Sequence, residues 1–318
     1  MANEVIFGVD VAKDELVIHD QASGLTECMD NTAASITRWV SSRADGCVIA
    51  LEATGTYHVE LAQRAHAHGH TVFVIDGYQL AHYRHSVRTR AKTDRCDAQL
   101  LARFVSAERD RLRAWHPPPE AYAALQRLLR RRAVLVRARV AIEQSCESLP
   151  ELKPELARLR TTLTDMDALI KKRIKHILRE AGLAPQAERC RAIKGVGELT
   201  SAGLVMAFLR GSFRTSDAFV AFLGLDVRVK DSGASRGRRK LSKRGDPELR
   251  RLLHSAAMAA SRSGQGKQLY EQYRARGLKS TEALVILARK IARVAFALMK
   301  NQTVYRPPEC ASKACVQT

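Results

Sequence analysis

The chain has 318 residues, of which 46% are hydrophobic and 5% aromatic, a composition typical of a globular protein with about two domains. Its 53 Lys and Arg residues outnumber 33 Asp and Glu residues, so the formal net charge is +20, which favours a polyanionic partner. No stretch approaches the roughly 18 apolar residues of a membrane span, and the first ten residues lack the Lys or Arg of a secretory signal. Seven scattered cysteines without a CxxC pair argue against a disulfide framework or a zinc knuckle and fit a reducing cytoplasm.

The positive charge is distributed unevenly along the chain. Residues 1–116 have a net charge of −2, whereas residues 117–318 have a net charge of +22. This division predicts a slightly acidic part that carries out chemistry and a basic part that holds the polyanion.

The N-terminal third alternates short apolar runs with helical patterns. The predicted elements are strands over 5–9 and 16–18, a helix over 32–40, a strand over 47–51, a helix over 57–68, a strand over 71–75 and a helix from 93 or 94 to 107. Two or three antiparallel strands followed by this alternation favour one mixed sheet with helices packed against it.

Three consecutive prolines at 117–119 mark the clearest boundary, because they cannot continue the preceding helix. Two long helical segments follow, over about 120–149 and 151–181. The second has apolar residues at alternating spacings of four and three, at Leu152, Leu156, Leu159, Leu163, Met166 and Ile170, and Ile174 and Ile177 extend this pattern. This a/d seam predicts either a helical hairpin within the chain or an intermolecular coiled coil that sets an oligomer.

A compact helical region is predicted from about residue 186. Residues 193–197, followed by a helix over 198–209, have the spacing of a helix-hairpin-helix, in which glycines let the backbone approach a phosphate. Further helices are predicted over 217–223, 247–262 and 280–300, with a disordered tail. The predicted domains are therefore 1–115, 116–185 and 186–306, followed by the tail at 307–318.

Four carboxylates stand at positions where catalytic acids are common. Asp10 and Glu52 each follow a predicted strand, and Asp94 and Asp97 lie three residues apart at the start of a predicted helix. If the two strands are neighbours, the acids converge, and such a cluster needs divalent cations to offset its repulsion. Oxygen-only ligands select Mg²⁺ or Mn²⁺, and two such ions clamp the attacking and leaving oxygens of a phosphodiester. Taken singly, each acid is more often a surface charge or a helix-start residue.

Three blocks carry a resemblance to a known family. They are Gly8-Val9-Asp10-Val11-Ala12-Lys13, Glu52-Ala53-Thr54-Gly55-Thr56-Tyr57 and Lys92-Thr93-Asp94-Arg95-Cys96-Asp97-Ala98. Over nearly its whole length the chain resembles the DEDD transposases of the IS110 insertion-sequence family, with its IS1111 subgroup. The resemblance implies an RNase H-like (RuvC-like) N-terminal domain that binds Mg²⁺ through the four acids. It also implies a structured guide RNA and a homo-oligomer.

The resemblance further implies a nucleophilic serine in the C-terminal domain. Residues 231–235 match the family's segment that contains this serine, and Ser232 is the best candidate for the nucleophile. In a different register of the match, the nucleophile would be Ser235 or Ser242. The segment contains no His to act as base, so activation of the hydroxyl is expected from metal ions held by the four acids.

The segment around this serine is strongly basic. Residues 228–251 contain ten Lys and Arg with interleaved glycines, a pattern that suits phosphate contacts, although most charge runs are solvated faces. The candidate nucleic-acid contacts are Lys194, Gly195, Gly197, Arg236, Arg238, Arg239, Lys240, Lys243 and Arg244.

Together these features predict an α/β N-terminal domain followed by all-α domains, in a transposase that cuts and rejoins DNA through a serine nucleophile. The expected partners are donor and target DNA, a structured guide RNA and further copies in a dimer or tetramer, without a membrane, at the bacterial nucleoid. Two alternatives stay open. One is a RuvC-like structure-selective nuclease that uses water as nucleophile, and the other is a non-catalytic nucleic-acid-binding protein.

Overall fold

The computed structural model describes residues 5–87, 93–228, 231–232, 235–236 and 239–306, with the backbone alone at 231–232 and 235–236. The chain forms two compact units, Met1–Pro117 and Pro118–Thr318, which divide within the run of prolines. A further division at residue 186 stays a prediction. The tail predicted to be disordered, 307–318, lies outside the described residues.

The first unit is built on a five-stranded sheet. Its strands are β1 (Ile6–Val11), β2 (Glu15–Asp20), β3 (Thr26–Asp30), β4 (Val48–Glu52) and β5 (Thr71–Ile75). Their order is β3-β2-β1-β4-β5, with β2 antiparallel to both β1 and β3, and β4 parallel to both β1 and β5. The predicted mixed sheet is confirmed, and β1 and β4 are neighbours, as convergence of the acids requires.

Helices cover both faces of this sheet. Two of them, α1 (Ala33–Ser41) and α2 (Val59–Ala67), share a core with one face, whereas α3 (Gly77–Ser86) and α4 (Asp94–Glu108) pack on the other. The sequence did not predict α3. Only Leu80 of its ten residues is buried, so its sequence lacks the apolar period of an amphipathic helix.

The second unit is mostly helical. Its helices are α5 (Glu120–Ser145), α6 (Lys153–Glu180), α7 (Ala184–Arg191), α8 (Glu198–Leu209), α9 (Ser216–Phe222), α10 (Pro247–Ala260), α11 (Gly264–Ala275) and α12 (Ser280–Asn301). One hydrophobic core draws buried residues from all of these helices except α11, which contributes partly buried residues such as Leu269. The predicted combination of a mixed α/β sheet with a mostly helical remainder is therefore confirmed.

The helices α5 and α6 form an antiparallel hairpin. Glu143 pairs with Arg160 near the connection, and Arg132 pairs with Asp167 farther along, at nitrogen–oxygen distances of 2.8 and 2.7 Å. The predicted seam is fully buried only towards its C-terminal end, at Ile174, whereas Met166 is 45% exposed. The intramolecular alternative thus accounts for one part of the seam, and the intermolecular coiled coil stays a prediction.

The basic segment between α9 and α10 contains two short antiparallel strand pairs. β6 (Val227–Arg228) pairs with β9 (Lys240–Leu241), and β7 (Asp231–Ser232) pairs with β8 (Ser235–Arg236). We term residues 227–241 the serine hairpin. Its strands have two residues each, too short for the alternating apolar pattern by which a strand is recognised in sequence.

The described residues contain no membrane-spanning helix and no disulfide. None of their helices is both long and apolar enough to cross a bilayer. The cysteines among them, Cys28, Cys47, Cys96, Cys146 and Cys190, are all free thiols.

Candidate active site

Asp10 and Glu52 lie side by side on neighbouring strands. The parallel register pairs Val9 of β1 with Leu51 of β4, so the next residues, Asp10 and Glu52, are at the same level. Neighbouring strands are about 4.8 Å apart, and paired residues project from the same face of a sheet. Both carboxylates therefore project from one face.

Helix α4 brings Asp94 and Asp97 to that face. Thr93 caps the helix, because its Oγ1 accepts a hydrogen bond from the Cys96 N–H at 3.3 Å, and both acids then lie in the first turn. The helix lies directly on β1 because Gly8 has no side chain. A Cβ at Gly8 would be 2.6 Å from the backbone nitrogen of Ala102.

The four carboxylates share one electrostatic field. Burial, followed by the negative charges of Asp94, Asp97 and Glu52, raises the pKa of Asp10 from 3.8 to about 6, although a hydrogen bond from the Val11 backbone lowers it. Asp97 is itself buried, with 7% exposure. The fold thus groups around Asp10 the acids that the sequence singled out.

Arg84 on α3 offsets part of this negative charge. Its Nη2 donates a hydrogen bond to Asp97 Oδ1 at 2.5 Å, and the two side chains are only 15% and 10% exposed. Removing one partner of such a buried pair leaves an uncompensated charge at a cost of about 3–5 kcal/mol. Sequence reasoning missed Arg84 because it lies on the helix that no apolar pattern predicted.

Gly77, at the start of α3, leaves room for the Glu52 side chain. A Cβ at Gly77 would be 2.5 Å from Glu52 Oε1, which is closer than nonbonded atoms approach. The carboxylate therefore lies against the backbone of Gly77. Sequence reasoning missed this residue as well, although a glycine two residues after β5 is visible in the sequence.

The four acids fit a hard divalent cation in donor chemistry and in charge. Their donors are all oxygen, and a cation would offset both the burial of the Asp10 charge and the repulsion from its neighbours, which together raise the pKa of Asp10. Among the described residues, no three acidic, His or Cys side chains are already arranged around one ion. Shared ligation at about 2.0–2.1 Å therefore requires side-chain movement, which is open to the exposed Asp94.

In the second unit, Ser232 lies in β7, with its backbone paired to Ser235 of β8. Arg238 and the side chains of Ser232 and Arg236 lie outside the described part of the chain. The other basic candidates are exposed, namely Lys194, Arg239, Lys240, Lys243 and Arg244. Their exposure leaves these side chains accessible to phosphate groups.

The two glycines between α7 and α8 have different surroundings. Gly195 has a φ of +87°, and a Cβ there would be 2.8 Å from the Ala260 nitrogen, so this glycine is required for packing against α10. Gly197 caps α8, is exposed and would place a Cβ in open space. A phosphate can therefore approach the first N–H groups of α8 on the side of Gly197.

Two family models match the chain. The DEDD transposase model of IS110 elements matches residues 7–154, and the model of the IS116/IS110/IS902 transposase family matches residues 187–274. The chain belongs to this family of transposases. The first match includes all four acids, and the second includes Ser232.

Relatives of this transposase align over nearly its whole length. The pilin gene-inverting protein of Moraxella bovis is 24% identical, over 94% of this chain and 97% of its own. The probable family 20 transposase of Pseudomonas aeruginosa is 27% identical, over 94% of this chain and 98% of its own. The transposase for insertion sequence element IS1328 of Yersinia enterocolitica is also 27% identical, over 96% of this chain and 99% of its own. The family predicted from three sequence blocks is confirmed, and the protein is an enzyme, a DNA transposase/recombinase.

Proposed function

We propose that this transposase cleaves and exchanges DNA strands in a Mg²⁺-dependent reaction, with Ser232 as nucleophile and a structured RNA as guide. The proposal rests on the grouping of Glu52, Asp94 and Asp97 around Asp10. Burial and then the negative charges of these three acids raise the pKa of Asp10. Mutually repelling carboxylates lower the stability of a folded protein, and such groups cluster at catalytic sites.

The topology of the first unit supports an RNase H-like (RuvC-like) fold. Three consecutive antiparallel strands, β1 to β3, are followed by β4 and β5, which run parallel to β1. This order puts the carboxyl ends of β1 and β4 next to each other in the interior of the sheet. Asp10, the fifth of the six residues of β1, and Glu52, the last residue of β4, lie at these ends, on the sheet face that α4 covers.

Asp10, Glu52, Asp94 and Asp97 would hold Mg²⁺, or Mn²⁺, through their oxygens. Bound there, the metal supplies charge stabilisation to the attacking and leaving oxygens of a phosphodiester. The protein itself fixes Asp94 and Asp97 by the Thr93 cap.

In the proposed step, Ser232 Oγ forms a bond to phosphorus while the bond from phosphorus to a deoxyribose oxygen breaks. The serine gives up its proton and the departing oxygen takes one up, so a DNA hydroxyl is released and a phosphoserine ester remains. Attack on this ester by a hydroxyl of another DNA end reverses these changes and joins a new pair of ends. One ester replaces another in each step, so no external energy source is required.

The basic second unit is the proposed binding part for DNA and RNA. Its net charge of +22, the exposed cations among residues 239–244 and the open backbone at Gly197 support phosphate contacts there. In this view, residues 193–197 act as a helix-hairpin-helix, with Lys194 beside the phosphate and Gly195 packed on α10. Arg236 and Arg238 complete the proposed set.

A homo-oligomer, a dimer or a tetramer, is supported by the apolar surface of α6. Leu159, Met166 and Leu169 are 38%, 45% and 66% exposed on one helix. Clustered exposed apolar side chains mark interaction surfaces more often than solvated ones. The proposed contact is with the same helix of a second copy.

The proposal is tested with donor and target DNA and a nicked substrate that traps a covalent protein–DNA adduct. Asp10→Asn is expected to abolish strand exchange and leave DNA binding intact, whereas Asp14→Asn, at an exposed acid in the turn after β1, leaves both unchanged. Ser232→Ala is expected to abolish adduct and exchange. If Ser232→Ala and Ser235→Ala both retain Mg²⁺-dependent cleavage, water is the nucleophile and the protein acts as a structure-selective nuclease.

A further inference from the structure

We propose that Asp226 and Ser242 are positioning residues that hold the base of the serine hairpin, and that Ser242 is not the nucleophile. This inference rests on the proposed function of Ser232. The strand pairing is the first observation behind this inference. β6 and β9 pair Val227 with Leu241, and Asp226 and Ser242 are the next two opposing residues on the side of α9 and α10. The Ser242 N–H donates a hydrogen bond to the Asp226 carbonyl oxygen at 2.9 Å, so this pair extends the β6–β9 backbone pairing by one residue toward α9 and α10.

The Ser242 hydroxyl makes two hydrogen bonds at the base of the serine hairpin. Its hydroxyl donates a hydrogen bond to Asp226 Oδ1, and its oxygen accepts one from the Arg244 N–H at 3.3 Å. Bonds from a hydroxyl to a carboxylate are among the stronger hydrogen bonds in proteins. Ser242 is only 8% exposed, so its oxygen is closed to a phosphodiester and is held by two partners.

The turn that follows Ser242 is held in an unfavourable conformation. Lys243 has a φ of +57°, a left-handed backbone region that side-chain-bearing residues rarely adopt. Such a residue persists where its surroundings fix it, and the bond from the Arg244 N–H to Ser242 Oγ spans it. Ser242 therefore connects Asp226 on one side of the hairpin base with the strained turn on the other.

A close approach of two glycines anchors the same base to the helices. A Cβ at Gly245 would be 2.6 Å from the Phe222 carbonyl oxygen and 2.7 Å from the Gly224 nitrogen, so both chain segments touch without side chains between them. Arg250 on α10 donates a hydrogen bond from Nη1 to the Gly245 carbonyl oxygen at 2.6 Å. The end of α9 and the start of α10 thus fix where the hairpin begins.

The anchored base affects the position of the proposed nucleophile, because Ser232 lies between its two residues in the sequence, six residues after Asp226 and ten before Ser242. Beyond the base, the described strand pairs have only two residues on each side. A nucleophile must come within about 3–3.5 Å of phosphorus in line with the leaving oxygen, and a displacement of about 1 Å can reduce the rate about 100-fold. The Asp226–Ser242 pair therefore fixes the described base, β6 and β9, from which the chain continues on both sides to Ser232.

The test measures the rate of covalent adduct formation on a trapping DNA substrate at saturating DNA, using the full-length protein with its guide RNA. Ser242→Ala and Asp226→Ala are each expected to slow adduct formation about 30- to 100-fold while the Kd for DNA changes less than about threefold. Asp226→Asn keeps the accepting oxygen and is expected to retain the rate within about fivefold. Ser261→Ala, at the end of α10, is the matched serine control and keeps the wild-type rate.

The double variant Asp226→Ala/Ser242→Ala distinguishes a shared role from two separate ones. Because each single change already breaks the same bond, the double variant is expected to be no slower than the slower single variant. If Asp226→Asn is as slow as Asp226→Ala, or if DNA affinity falls in parallel with the rate, the pair is merely structural and the inference is wrong.

Ser232→Ala, measured in parallel, separates the inference from the proposed function. If Ser232→Ala abolishes the adduct while Ser242→Ala and Asp226→Ala form it at the wild-type rate, only the positioning inference is wrong. If mass spectrometry of the adduct finds the phosphate on Ser242, both the inference and the role of Ser232 are wrong.

Discussion

Replacing Asp10 with Asn is expected to stabilise the metal-free protein although it abolishes strand exchange. The pKa of Asp10 in the folded protein is about 6, above 3.8, so ionising the carboxylate costs more in the folded than in the unfolded chain. The full difference corresponds to about 3 kcal/mol. Asp10 is only half-buried, and solvent screening reduces this to about 1–1.5 kcal/mol.

The sign of this effect fixes its pH dependence. A raised pKa means that the contribution of Asp10 to stability is lost as pH rises from about 4 through 6, and the penalty is complete above that range. Asn carries no charge, and its amide oxygen can still accept the Val11 hydrogen bond. The stabilisation by Asp10→Asn is therefore expected to be near zero at pH 4 and constant from pH 7 upward.

Differential scanning calorimetry in EDTA between pH 4 and 8 measures this difference. For a unit of 117 residues, about 1–1.5 kcal/mol corresponds to a rise in Tm of about 3–8 °C in the transition of that unit. Mg²⁺ at 100 times its Kd is expected to add about 2.7 kcal/mol to the free energy of unfolding of the wild type and so to raise its Tm. The Tm of Asp10→Asn is expected to rise much less on addition of Mg²⁺. A lower Tm for Asp10→Asn at pH 7.5, or an equal rise for the exposed control Asp14→Asn, would refute the reasoning.

Three further changes test other parts of the molecule. Lys243→Gly keeps the left-handed turn, so thermal stability is expected to be unchanged or about 0.5–1 kcal/mol higher, while the slope of log affinity for DNA against log salt becomes shallower by about 0.9. Gly77→Ala is expected to displace the Glu52 carboxylate and weaken Mg²⁺ binding about tenfold by calorimetry, but to have no effect when Glu52 is replaced by Ala. Met166→Lys is expected to lower the oligomeric mass measured by light scattering while the circular dichroism spectrum is unchanged. An unchanged salt slope, an unchanged Mg²⁺ affinity or an unchanged mass would contradict the respective expectation.

The elements that sequence reasoning identified are those whose apolar pattern is determined by burial. β4 and β5 are nearly continuous apolar runs because helices pack on both faces of the sheet, although β4 lies inside the sheet and β5 forms its edge. By contrast, α11 has no buried residue and begins with two glycines separated by one residue, so nothing in its sequence predicts a helix. Tertiary contacts, among them the approach of Gly266 to Ala260, place it.

The candidate site divides in the same way. The acids could be predicted because each lies near the end of a strand or in the first turn of a helix, and these places have ordinary sequence signals, such as the Thr93 cap before Asp94. Arg84 and Gly77 could not be predicted, because both depend on α3, which packs through Leu80 and the contact of Tyr83 with Phe104. A side chain recruited by an unpredicted helix has no sequence signal of its own.

One determinant of the site was present in the sequence but could not be interpreted without the fold. Gly8 and Asp10 are two residues apart on β1, so they face the same side of the sheet. A Cβ at Gly8 would overlap the backbone of α4 at Ala98 and Ala102, which are four residues apart and share a helix face. Because α4 is in contact with β1 at this point, its preceding turn, which carries Asp94 and Asp97, lies beside Asp10. The convergence of the acids therefore depends on a glycine and two alanines, and any side chain at Gly8 would move Asp94 and Asp97 away from Asp10.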